Sequence, residues 1–77
     1  MELKVLGPGC ANCKKLEANV FEAVARMNVD ADIQKIEDIQ EIIGYGILST
    51  PGLVVNGKVK VSGRVPSVSE IINILNG

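Results

Sequence analysis

The stretch Leu53-Val54-Val55-Asn56-Gly57-Lys58-Val59-Lys60-Val61 constrains the fold more tightly than any other part of the chain. Asn-Gly between two β-branched runs specifies a two-residue type I′ turn, because both turn residues must take a positive φ. The flanking runs are therefore antiparallel neighbours, and the rest of the chain must build onto their sheet.

Upstream, Leu3, Val5 and Leu6 form a short buried strand ended by Gly7-Pro8-Gly9. From Cys10 onward the period changes. Leu16, Val20, Val24 and Met27 recur at steps of three or four, with Phe21 beside them. That spacing makes one apolar stripe on a helix of roughly four turns, with Lys14, Lys15, Glu17 and Glu22 on its wetter side. Asn28 tolerates the left-handed conformation and ends the helix. Val29 to Ile36 alternates loosely and predicts a second strand. Strand, helix and strand over about 35 residues form a βαβ unit, parallel with a right-handed crossover. Asp38 followed by Glu41 is a capping pair for a short helix through Ile39, Ile42 and Ile43, stopped by Gly44 and Gly46. After the hairpin, Ser62 to Pro66 is a loop. Ser67 and Glu70 then form a capping box for a closing helix striped by Val68, Ile71, Ile72 and Leu75. The order is βαβαββα, an α/β chain expected to be one domain over residues 1–77 with a single small core.

The chain carries eight basic and nine acidic residues and 47% hydrophobic residues. It should fold rather than stay disordered, and no Lys or Arg cluster is long enough to track a phosphate backbone, so no nucleic acid partner is expected. No apolar run approaches the roughly 18 residues of a membrane span. Met1 leads straight into Glu2-Leu3-Lys4-Val5 without an apolar leader, so a cytoplasmic location is expected. In that reducing compartment, paired cysteines are more often catalytic or metal-binding than structural.

The only cysteines lie in Cys10-Ala11-Asn12-Cys13, where the first strand hands over to the first helix. Three chemistries fit. A structural disulfide across so short a loop is worth only about 2 kcal/mol by chain entropy. A zinc site needs four ligands, and the chain offers two cysteines and no histidine. A two-coordinate Cu(I) site suits soft thiolates. Copper chaperones, however, carry their C-x-x-C on a βαββαβ framework, usually with Met before the first cysteine. Here Gly7-Pro8-Gly9 stands there, and the second helix precedes the hairpin. The third chemistry is redox. At a helix N-terminus, unpaired N–H groups and the positive end of the macrodipole lower the Cys10 thiol below its free value of about 8.5. Cys13, one turn inside, suits a second attacking thiol.

Directly before the hairpin comes Ser49-Thr50-Pro51-Gly52. With "GPGCANCKK", "STPGLVVNGKVKVSGRVPS" and the final helix, it makes the chain resemble, over almost its whole length, the small archaeal and bacterial thioredoxin-like redox-active disulfide proteins. The resemblance implies a thioredoxin-like fold: a four-stranded mixed sheet in order 2-1-3-4, with the first and third helices on one face and the second on the other. It implies a thiol–disulfide oxidoreductase of protein disulfides, with Cys10 as nucleophile and Cys13 as resolving thiol. It implies a cis Pro51, with the Thr50 backbone placed to pair with an extended substrate chain, and Gly9 and Gly63 beside that substrate. No cofactor and no resident metal are implied, because the cysteines carry the electrons. The implied partners are disulfide-containing proteins and an upstream reductase; no membrane is expected from the sequence, and nothing in it demands more than a monomer. A metal-transfer module using the same thiolates is the alternative, and a docking adaptor without turnover is a third.

The chain departs from the family pattern at several places. Gly9 precedes Cys10 where thioredoxins usually have Trp, and Ala11-Asn12 replaces Gly-Pro. Lys4 stands six residues before Cys10, where thioredoxins bury an acid. Ser62-Gly63-Arg64 keeps one glycine of the glutaredoxin Gly-Gly and acidic cap, with a cation where the acid would stand. Arg64 is expected as a solvated loop residue. Tyr45, between two glycines, belongs either near the site or at the core edge.

Overall fold

The computed structural model describes residues 1–77 as β1 (Glu2–Leu6), α1 (Ala11–Met27), β2 (Asp32–Ile36), α2 (Ile39–Gly44), β3 (Gly52–Val55), β4 (Lys58–Ser62) and α3 (Val68–Asn76). The hairpin forms as its turn residues require: Asn56 and Gly57 have φ of 49° and 86°, and β3 and β4 pair antiparallel. Lys60 is the extra residue of a bulge, since Val54 faces Val59 while Leu53 faces Val61. β1 lies antiparallel to β3 and parallel to β2, giving the sheet order β2-β1-β3-β4. This is the thioredoxin-like arrangement.

β2 is shorter than the apolar alternation predicts. Asn28 turns the chain left-handed at φ 52°, and pairing starts only where β1 supplies a partner: Asp32 N–H donates to the Met1 carbonyl at 2.8 Å. Residues 29–31 precede that point and cross from helix to sheet.

The two faces of the sheet are covered unequally. On one, Leu16, Val20 and Ala23 of α1 and Ile71 of α3 bury against Leu3, Val5, Leu53, Val55 and Val61. On the other, Ile42 of α2 and Ile47 close over Leu6 and Val54, with Ile36 and Tyr45 at the margin. Phe21 is a correction to the predicted stripe: it is 54% exposed. It sits one residue, about 100°, round the helix from Val20, which takes the core position.

The caps also differ in detail from expectation. Asp38 caps α2 by accepting from Gln40 N–H at 2.8 Å rather than from Glu41. Ser67 accepts from Glu70 N–H at 3.1 Å, but the Glu70 carboxylate does not reach back. It turns to Arg64 instead.

Candidate active site

β1 ends against β2 at Gly7, whose N–H donates to the Ile36 carbonyl at 2.9 Å. The chain then turns through Pro8 and Gly9 and enters α1 at Cys10. Cys10 is the N-cap: its backbone is extended, and its sulfur accepts from the Cys13 N–H at 3.2 Å. A sulfur at that position occupies the place of the usual Ser or Asp cap, among the N–H groups that a helix leaves unpaired. The field there favours the thiolate.

Cys10 and Cys13 are joined as a disulfide, with their Cα atoms 5.0 Å apart. Their surroundings differ. Cys10 is exposed, whereas Cys13 is 5% exposed and belongs to the buried face of α1. One sulfur can meet a partner; the other waits beneath it.

Gly7 makes the buried position possible. A β-carbon on Gly7 would overlap the Cys13 sulfur, and it would lie 3.9 Å from Pro51 Cα. Strand end, Cys13 sulfur and Pro51 thus converge on one residue that must lack a side chain. Read from the sequence, Gly7 is only a turn signal; the close approach is a tertiary fact.

Pro51 is buried and Thr50 half-buried, and the peptide between them is cis. The Pro51 carbonyl accepts from Gly63 N–H at 2.8 Å. Gly63 has φ of +79°, and a β-carbon there would press on Ser49 Cβ at 3.1 Å. Glycine is therefore favoured by conformation, and any side chain there would also have to push Ser49 aside. Thr50, Pro51 and Gly63 form one cluster beside Cys13. Gly9 directly precedes Cys10, and the Glu37 carboxylate stands 3.3 Å from the point a Gly9 β-carbon would occupy. Glu37 is a neighbour of the site that no sequence spacing announces, since it arrives from the end of β2.

Lys4 does not replace the acid of thioredoxins in kind. Its ammonium donates to the Tyr45 hydroxyl at 3.0 Å and lies 3.5 Å from the Glu2 carboxylate. The hydrogen bond to Tyr45, with a smaller contribution from Glu2, raises the Lys4 pKa above its ordinary value. Tyr45 thereby takes the core-edge role, packed against the smaller cluster under α2. Arg64 is exposed, as expected of a solvated loop residue, but it also meets a carboxylate. Both its terminal nitrogens donate to the two carboxylate oxygens of Glu70. That pairing holds the Glu70 carboxyl below the usual carboxylate range and raises Arg64.

No group of three or more Cys, Asp or Glu side chains gathers as metal ligands, and no helix is long and apolar enough to cross a membrane.

A C-x-x-C with one exposed and one buried sulfur, at the first strand-to-helix turn of a β2-β1-β3-β4 sheet, defines a thiol–disulfide oxidoreductase of thioredoxin-like fold. The comparisons agree. A family model described as a thioredoxin domain matches residues 1–76. A thioredoxin of Methanothermobacter thermautotrophicus is 43% identical over 76 residues, covering 99% of each chain. A thioredoxin of Methanocaldococcus jannaschii is 35% identical over 69 residues, covering 90% of this chain and 79% of that one. The chain belongs to the thioredoxin domain family.

Proposed function

We propose that this chain, acting as a single domain over residues 1–77 and as a monomer, reduces protein disulfides in the cytoplasm with Cys10 as nucleophile and Cys13 as resolving thiol. The observation that carries the assignment is the difference in exposure between the two sulfurs. The Cys10 thiolate attacks one sulfur of a substrate disulfide; a mixed disulfide forms and the first substrate thiolate leaves. Cys13, having lost its proton, attacks the Cys10 sulfur and expels the second substrate thiolate. The substrate gains two electrons and two protons, and the chain is left with the 10–13 disulfide. An upstream reductase returns two electrons, and neither cofactor nor metal enters the cycle.

Thr50 and Pro51 offer the backbone against which an extended substrate segment lies, flanked by Gly9 and Gly63. Exposed apolar side chains support a protein rather than a small-molecule substrate: Leu48, two residues before Thr50, is fully exposed, as are much of Ile39 and Ile43 on α2. A redox titration tests the proposal. The chain is equilibrated across dithiothreitol potentials with thiol loss followed, with and without Cys10→Ser. A reversible two-electron midpoint within about −270 to −200 mV is expected. Tight stoichiometric Cu(I) or Zn(II) binding without disulfide turnover overturns it in favour of a metal-transfer module.

A further inference from the structure

The loop between β4 and α3 is tied down at three separate points. Gly63 N–H donates to the Pro51 carbonyl at 2.8 Å. The next residue, Arg64, forks onto both oxygens of Glu70 in the first turn of α3. Two residues further, the carbonyl of fully buried Pro66 accepts from Asn19 Nδ2 at 3.0 Å. Asn19 lies on α1, the helix that begins with Cys10, and is a half-buried polar residue one position before core Val20. The loop therefore touches the docking segment at one end and the cysteine helix at the other. Neither Asn19 nor Arg64 approaches the sulfurs through any bond of its own.

We propose that this loop is a brace that sets the Thr50–Pro51 segment against the helix bearing Cys10, with Asn19 and the Arg64–Glu70 pair as its positioning residues. The inference rests on the proposed docking role of Thr50 and Pro51. Removing either tie lets the 62–66 segment shift and carries Gly63 with it. The Pro51 carbonyl then loses a fixed partner, while the cysteines keep theirs. A forked guanidinium–carboxylate pair holds direction as well as distance, which a single surface contact does not. Its exposure limits its strength, so the effect is moderate.

The test compares two substrates in the full chain: a protein disulfide, insulin, and a small aromatic disulfide, 5,5′-dithiobis(2-nitrobenzoate). Variants are Arg64→Ala, Asn19→Ala and the exchanged pair Arg64→Glu with Glu70→Arg. For Arg64→Ala and Asn19→Ala, KM for insulin rises about three- to fivefold, the size expected for one exposed or half-buried tie. In both variants kcat for insulin, the rate with the small disulfide and the midpoint potential stay at wild-type values. The exchanged pair restores most of the insulin KM. Equal loss on both substrates, or unchanged insulin KM in both single variants, overturns the brace. Failure of the exchanged pair to restore KM also overturns it, because Arg64 would then be acting through its own charge on the substrate. A wild-type chain that reduces neither disulfide is a different result: it removes the proposed function itself.

Discussion

The two faces of the sheet divide the work. The α1/α3 face holds nine buried apolar residues from five elements, whereas the α2 face holds four. The cysteines ride on the thick side, at the start of a 17-residue helix whose stripe is locked into the larger cluster. The segment proposed to dock substrate hangs from the thin side: Ile47 is its one buried anchor before Pro51, and Leu48 between them stands 102% exposed. Chemistry that needs a fixed sulfur sits where packing is dense. The proposed recognition of protein chains would sit where little is buried and apolar surface is left open.

The largest test of that division is a pair of core truncations. Leu16→Ala, on the thick face, should cost toward the upper end of about 2–5 kcal/mol in urea unfolding. Ile47→Ala, on the thin face, should cost nearer about 2 kcal/mol while raising KM for a protein disulfide more than Leu16→Ala does. Equal costs and equal KM effects would erase the contrast between faces. Next in size is Gly7→Ala. The added methyl must displace the Cys13 sulfur, so we expect about 1–3 kcal/mol of destabilisation by thermal unfolding of the oxidised form. A silent Gly7→Ala would mean the two faces do not meet at that residue.

Asp38→Ala sharpens the comparison locally. Loss of the bond to Gln40 N–H should cost about 1 kcal/mol, with faster amide exchange confined to α2 and the segment after it. The smallest effect lies in pH dependence at the brace. Arg64 lowers the Glu70 pKa below its ordinary 4.5, so the pair's stabilisation is present above that value. It is lost as pH falls through the lowered folded value. The stability difference between wild type and Arg64→Ala should therefore shrink to nothing in acid, as followed by denaturation midpoints from pH 7 downward. A difference that grows in acid would assign the stabilisation elsewhere.

What could be read from the sequence was local. Asn56-Gly57 carries its own turn chemistry, Ser67 caps from three residues away, and Cys10 gains its character from the helix it starts. The features that escaped are those fixed by distant partners. Phe21 fits the apolar list but loses its core place to Val20 by one step of rotation. Gly7 reads as punctuation until α1 folds back and sets a sulfur on it. Arg64 reads as a solvated cation, which it is, but its partner Glu70 is fixed only when α3 comes alongside. Lys4–Tyr45 and Asn19–Pro66 join residues 41 and 47 positions apart, a separation that no periodicity spans. The element order, the parallel βαβ pair and the hairpin were legible because hydrophobic period and turn residues encode them directly, whereas the pairing of β1 with β3 was implied by the family resemblance. The wiring around the site was not, because single long-range hydrogen bonds leave no periodic trace.

The central claim is that the two sulfurs have different jobs, and trapping measures this most directly. Cys13→Ser and Cys10→Ser are each reduced, mixed with a protein disulfide and analysed by mass spectrometry under acid quench. The account predicts a persistent mixed disulfide at Cys10 in the Cys13→Ser chain, since nothing remains to resolve it. It predicts little or no adduct in the Cys10→Ser chain, whose remaining thiol is buried against Gly7. Equal trapping in both chains, or trapping mainly at Cys13, would contradict it.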